Sequence, residues 1–206
     1  VPCNKTGAVL GRVQVTIGTG RDVIDRGLTH EIVAWGKMGP VTSAEDPDRR
    51  QRIIAAASQA LTAAQEGQDE DAVENLIRFV RESTDEHTDV RELVLLLFSE
   101  CSSMVTELSE GGATPVRMQV FDEEGQEVPI DEADPPVRTA VRTLLAEVHG
   151  DEDAAAEQVE IALSNAAPEE MATVVIQALR WTIRLATACD ERDLPVPDWI
   201  AQALDH

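Results

Sequence analysis

The 206-residue chain carries 17 basic and 39 acidic side chains, a formal net charge of −22 at pH 7, with 43% apolar and 27% charged residues. That balance lies inside the globular range and outside the low-hydrophobicity regime of disorder, and a chain of this length can bury roughly 70% of its unfolded surface. So negative a field repels nucleic-acid phosphate and anionic lipid headgroups, so neither direct nucleic-acid binding nor membrane binding is expected.

Aromatic residues make up 3% and Tyr is absent, so the core must come from Ala, Leu, Val and Ile, a composition that suits helices. Charge is unevenly spread: residues 1–42 hold Lys5, Arg12, Arg21, Arg26 and Lys37 against Asp22, Asp25 and Glu31, so the rest of the chain carries all the excess negative charge. Cys3, Cys101 and Cys189 are too few and too scattered for a disulfide framework, which points to a reducing cytoplasm. The longest strongly apolar run, Leu93 to Phe98, is far short of the ~20 residues that span a bilayer, and the opening residues lack a secretory signal pattern.

In chain order, Val13, Val15 and Ile17 alternate with Arg12, Gln14 and Thr16, which predicts a short strand, with Ile32 to Trp35 as its pairing partner. The first Met is Met38, so the expectation is either a start there or a dispensable arm over residues 1–37. Asp46-Pro47-Asp48 opens the first helix, with Ile53, Ile54, Ala57, Leu61 and Ala64 on one face before Gly67. A second begins in Asp69-Glu70-Asp71 and is expected to bury Val73, Leu76, Ile77 and Val80. The third, Glu86 to Leu108, has apolar residues around so much of its circumference that it reads as a central helix. Gly111-Gly112 and Pro115 stop it, and Val116 to Phe121 with Gln126 to Ile130 form a candidate hairpin.

A second helical set follows. Val137, Ala140, Val141, Leu144, Leu145 and Val148 line one helix that ends at His149-Gly150, and Ala155, Val159, Ala162 and Leu163 line the next. Pro168-Glu169-Glu170 opens a long apolar helix reaching Cys189, and Pro195 and Pro197 introduce a short one with Trp199, Ile200 and Leu204. A shift of 83 places Gly67 on Gly150, Ala72 on Ala155, Leu76 on Val159, Leu96 on Leu179 and Phe98 on Trp181, which suggests an internal repeat. The turn at Gly150, with Ala155 and Ala162, resembles that of a tetratricopeptide unit, but no ~34-residue recurrence follows and the family is not assigned.

The expected fold is mainly all-α: a bundle of two similar three-helix units with a small β-hairpin insertion and a short N-terminal arm, either β or disordered. Its divisions are the arm at residues 1–42, a first helical unit at 43–112, the insertion at 113–134 and a second unit at 135–206, the two units sharing one core.

Chemistry-bearing motifs fail on required positions. The final glycine of a dinucleotide turn begun by Gly18-Thr19-Gly20 falls on Val23; Gly36-Lys37 lacks both the earlier glycine and the following Ser or Thr of a phosphate loop; His30-Glu31 lacks a second histidine, Ala34 standing there. The acidic triplets at Asp69 and Asp151 lack a calcium-loop pattern, and Cys101 and Cys189 fall on apolar faces that favour inert thiols. The most specific local feature is Arg180-Trp181 with Arg184 one turn on, a candidate contact for an anion or acidic peptide; Trp199 is a further candidate interaction residue. The bland account, arginines paired within a carboxylate-rich chain, is favoured. The reading is a cytoplasmic protein-interaction or regulatory module without catalysis, cofactor or metal, engaging a protein partner or a second copy of itself. Two alternatives are a nucleic-acid mimic that blocks a DNA- or RNA-binding protein, and an enzyme with a pocket between the helical units.

Overall fold

A computed structural model of the chain describes residues 12–17, 47–109, 116–121 and 126–205. Helix α1 (Pro47–Gln65) begins on a proline whose missing N–H would have no helical partner in any case, and buries Ile53, Ala57, Ala60 and Leu61 along one stripe. It ends at Gly67, whose φ of 77° lets the Gln68 N–H reach back to the Ala63 carbonyl at 2.9 Å. Helix α2 (Asp69–Glu82) places three carboxylates at the positive end of its dipole. Helix α3 (Glu86–Leu108) is capped by the Asp85 carboxylate, which accepts the Thr88 N–H at 3.2 Å.

The same devices recur in α4 (Pro135–Val148), α5 (Glu152–Asn165) and α6 (Pro168–Asp190). Gly150, with φ 72°, closes α4 as Gly67 closes α1, and the Asp151 N–H reaches the Ala146 carbonyl at 2.9 Å. Ala57, Leu61 and Ala72 are fully buried, and so are Ala140, Leu144 and Ala155, 83 residues further on, the spacing of Gly67 and Gly150. The third helix departs from it. Leu93, Val94, Leu97, Phe98 and Cys101 of α3 recur in burial as Val174, Val175, Ala178, Leu179 and Thr182 of α6. The expected match of Leu96 with Leu179 is not seen in burial, Leu96 being half-buried and Leu179 wholly enclosed; the Ala166-Ala167 link, one residue shorter than Ser83-Thr84-Asp85, accounts for one of the two residues of the shift.

Helices α3 and α6 lie side by side at the centre, where the Phe98 and Trp181 rings meet edge to face with centroids 6.0 Å apart. One cluster of buried side chains runs from Ile53 to Ala203 and draws on every helix, including the short terminal α7 (Asp198–Leu204). That last helix docks on α1, which supplies two donors to its end: Thr62 Oγ1 to the Ala203 carbonyl at 3.0 Å, and Gln65 Nε2 to that of Leu204 at 3.2 Å.

Strand β1 (Arg12–Ile17) forms, but its described partner is β2 (Val116–Phe121), antiparallel with Arg12 opposite Phe121; β2 pairs in turn with β3 (Glu127–Val128). The sheet order β1-β2-β3 thus joins the N-terminal strand to the hairpin, a pairing across a hundred residues that alternation within one strand cannot reveal. The expected partner, Ile32 to Trp35, lies outside the described residues, as do Met38 and the three incomplete motifs of the N-terminal segment. Helix α2 also needs one correction. Its buried line is Ala72 and Leu76, and Ile77 is 43% exposed, because α2 is covered chiefly by α1 and a residue one step past Leu76 points about 100° away. Among the described residues no helix is long and apolar enough to cross a membrane.

Candidate functional site

The four side chains singled out in the sequence do not converge. Arg180 is half-buried and paired with Asp69, tying α6 to the first turn of α2. Trp181, one residue on, is enclosed in the core at 2% exposure, so it cannot flank an anion held by its neighbours. Arg184 is exposed on the outer side of α6. Trp199 is half-buried on α7 and donates its indole N–H to Glu100 Oε1 of α3 at 3.0 Å. Helical geometry explains the separation, since consecutive residues diverge by about 100°.

The reactive groups are held in structural roles. Cys101 Sγ lies 3.2 Å from Thr182 Oγ1 and wholly buried, and desolvation pushes its thiol up to about 12, leaving it protonated at neutral pH. Burial likewise raises the Cys189 thiol, which donates to the Met104 carbonyl at 3.8 Å. The acidic triplet at Asp151 serves helix initiation, the Asp151 carboxylate accepting the Ala154 N–H at 3.0 Å. Among the described residues no three His, Cys, Asp or Glu side chains gather to hold a metal ion. An ionic cluster surrounds Arg49, whose guanidinium faces Asp89 at 3.0 Å, Glu92 at 3.6 Å and Asp85 at 3.8 Å. Asp89 is almost fully buried and also accepts the Ser83 hydroxyl at 2.6 Å, so the cluster clamps α1 to the α2–α3 link.

An open cleft of about 380 Å³ lies where the first turns of α4, the end of α5 and the start of α6 meet, within the range of roughly 300–1,000 Å³ usual for small-ligand pockets. Helix α4 lines it with Pro136, Arg138 and Arg142, α6 with Glu170 and Val174, and α5 with Ile161, which is 50% exposed. Gln158, Thr139 and Asn165 add uncharged polar groups. Arg142 Nη2 pairs with Asp131 at 2.7 Å, whereas Arg138 Nη1 donates only to the Asp131 backbone carbonyl, at 3.0 Å. Glu170 accepts the Ala167 N–H at 2.8 Å, which caps α6 and fixes the carboxylate at the cleft.

Comparison with family models, with curated proteins and with solved structures finds no match. The cleft therefore stands on its own geometry. Its arginines were missed in the sequence although Arg138 and Arg142 have the same one-turn spacing as Arg180 and Arg184. What distinguishes the two pairs is the approach of α5 and α6, a tertiary fact with no local signature.

Proposed function

We propose that this chain is an acidic, cytoplasmic, non-catalytic interaction module that docks a protein partner, or a second copy of itself, on the outer faces of α2 and α5. The observation that carries the reading is the exposure of two large aliphatic side chains, Ile77 at 43% and Ile161 at 50%. Beside Ile77, Val73 and Val80 are only half-buried, so a strip of α2 remains apolar and open to solvent. Covering such surface is favourable by about 25 cal/mol per Å². The same reading takes the two three-helix units as copies of one unit, the isoleucines of their middle helices lying one residue off the spacing of 83, which sets Ile77 against Glu160. Exposed Glu74, Glu157 and Glu160 flank these positions and favour a partner with a basic rim.

Affinity capture from native lysate, together with sedimentation of the purified chain, tests the reading at low and high salt. A complex or dimer that survives high salt is the result expected of an apolar interface. A partner released by salt alone would overturn it in favour of charge-driven mimicry of nucleic acid.

A further inference from the structure

The charges lining the α4–α5–α6 cleft are arranged differently from those elsewhere in the chain. Among the described residues four arginines are half-buried: Arg49, Arg91, Arg138 and Arg180. Three of them meet a carboxylate, Arg49 on Asp89, Arg91 on Glu160 and Arg180 on Asp69; Arg138 meets only a backbone carbonyl. Among the described residues, Arg138 is thus the one half-buried arginine without a carboxylate partner, and it lines the cleft. The same cleft is lined by Glu170 of α6, whose carboxylate holds one backbone N–H and keeps further acceptor sites. Among the described residues no ion pair joins Arg138 or Arg142 to Glu170.

A cation from α4, an anion from α6 and an aliphatic lining of Pro136, Ile161 and Val174 in one cleft fit a ligand with both charges and an apolar tail. Net charge narrows the choice. A chain at −22 repels phosphate esters and acidic peptides, whereas a zwitterion carries no net charge into that field. We propose that this cleft binds a free aliphatic amino acid, its carboxylate on Arg138, its ammonium on Glu170 and its side chain against Ile161 and Val174. Arg142, already paired with Asp131, borders the carboxylate end without being its principal partner. Ile161 belongs both to this cleft and to the α5 face of the proposed interface, but the inference does not rest on partner docking, because the titration uses the free chain and its variants leave Ile161 in place.

Calorimetric titration of the full chain with L-leucine, L-valine and L-methionine tests it, followed by titration with 4-methylpentanoate, which lacks the ammonium, and 3-methylbutylamine, which lacks the carboxylate. Saturable one-site binding of at least one amino acid is expected, with each single-charge analogue weaker by roughly tenfold or more, the loss of one charge-assisted contact. Arg138→Met keeps the aliphatic stem and Glu170→Gln keeps the helix cap, so both variants should melt as the parent does and each lose roughly tenfold in affinity. No saturable binding by any of the three amino acids, 4-methylpentanoate binding as tightly as leucine, or unchanged affinity in folded Arg138→Met would each overturn the proposal.

Discussion

Single side chains in this molecule are decided by whether a buried charge finds its partner. Asp89 is enclosed, with Oδ2 accepting the Ser83 hydroxyl and Oδ1 held only by the charge of Arg49 at 3.0 Å, so Asp89→Ala removes the Ser83 hydrogen bond and the ion pair to α1 and strands Arg49 beside a cavity. Arg49 keeps Asp85 and Glu92 within reach, so the cost should be about 2–4 kcal/mol, below the full penalty of breaking a buried pair, and urea unfolding would measure it. Glu147 behaves in the opposite sense. Burial, and then the charge of Glu152, raise its pKa, and it sits in the last turn of α4 at the negative end of the dipole. A carboxyl with a raised folded pKa stabilises the fold below its unfolded pKa and loses that contribution as pH rises through the folded value. Glu147→Gln should therefore raise the melting temperature at pH 7 and leave it nearly unchanged at low pH, where the parent is already protonated.

At the scale of elements, the helices were legible in the sequence and their contacts were not. The third helix was expected over Glu86 to Leu108 and α3 has those bounds, because an Asp cap and the glycines beyond are local signals. The hairpin was legible for the same reason, whereas the docking of β1 on β2 was hidden in a long-range pairing. The left-handed helix ends illustrate how local chemistry sets an element. Gly67, Gly150 and Asp193 all have positive φ, at 77°, 72° and 53°, and the Leu194 N–H reaches the Cys189 carbonyl at 2.9 Å to close α6 as the glycines close α1 and α4. A side chain at Gly150 would meet no atom, so any cost of Gly150→Ala is conformational and should be about 1 kcal/mol. Asp193→Gly makes the reverse exchange and also removes a negative charge from a helix C-terminus, so it should stabilise by about 0.5 kcal/mol; thermal unfolding of the two variants gives opposite signs on this account.

The whole molecule is organised by α3 and α6, whose facing residues tie both helical sets into one buried cluster. Leu97 and Leu179 are fully enclosed there, so each truncation to Ala should cost about 2–5 kcal/mol and shift a single transition that carries both sets; two separate transitions would show the cores to be distinct. This apolar centre was readable from the breadth of the two long helices' hydrophobic arcs. The cleft beside Arg138 was not, because it depends on where α5 leaves a gap between α4 and α6, and neither was the exposure of Ile77, which depends on how little of α2 its neighbours cover. An interaction module requires surface that contributes to binding and not to the core, which the paired variant Ile77→Glu/Ile161→Glu separates. Thermal melting and complex formation measured on that variant should show a melting temperature within about 3 °C of the parent together with loss of the complex or dimer. A complex that persists unchanged, or a fall in stability on the scale of a core truncation, would contradict the account.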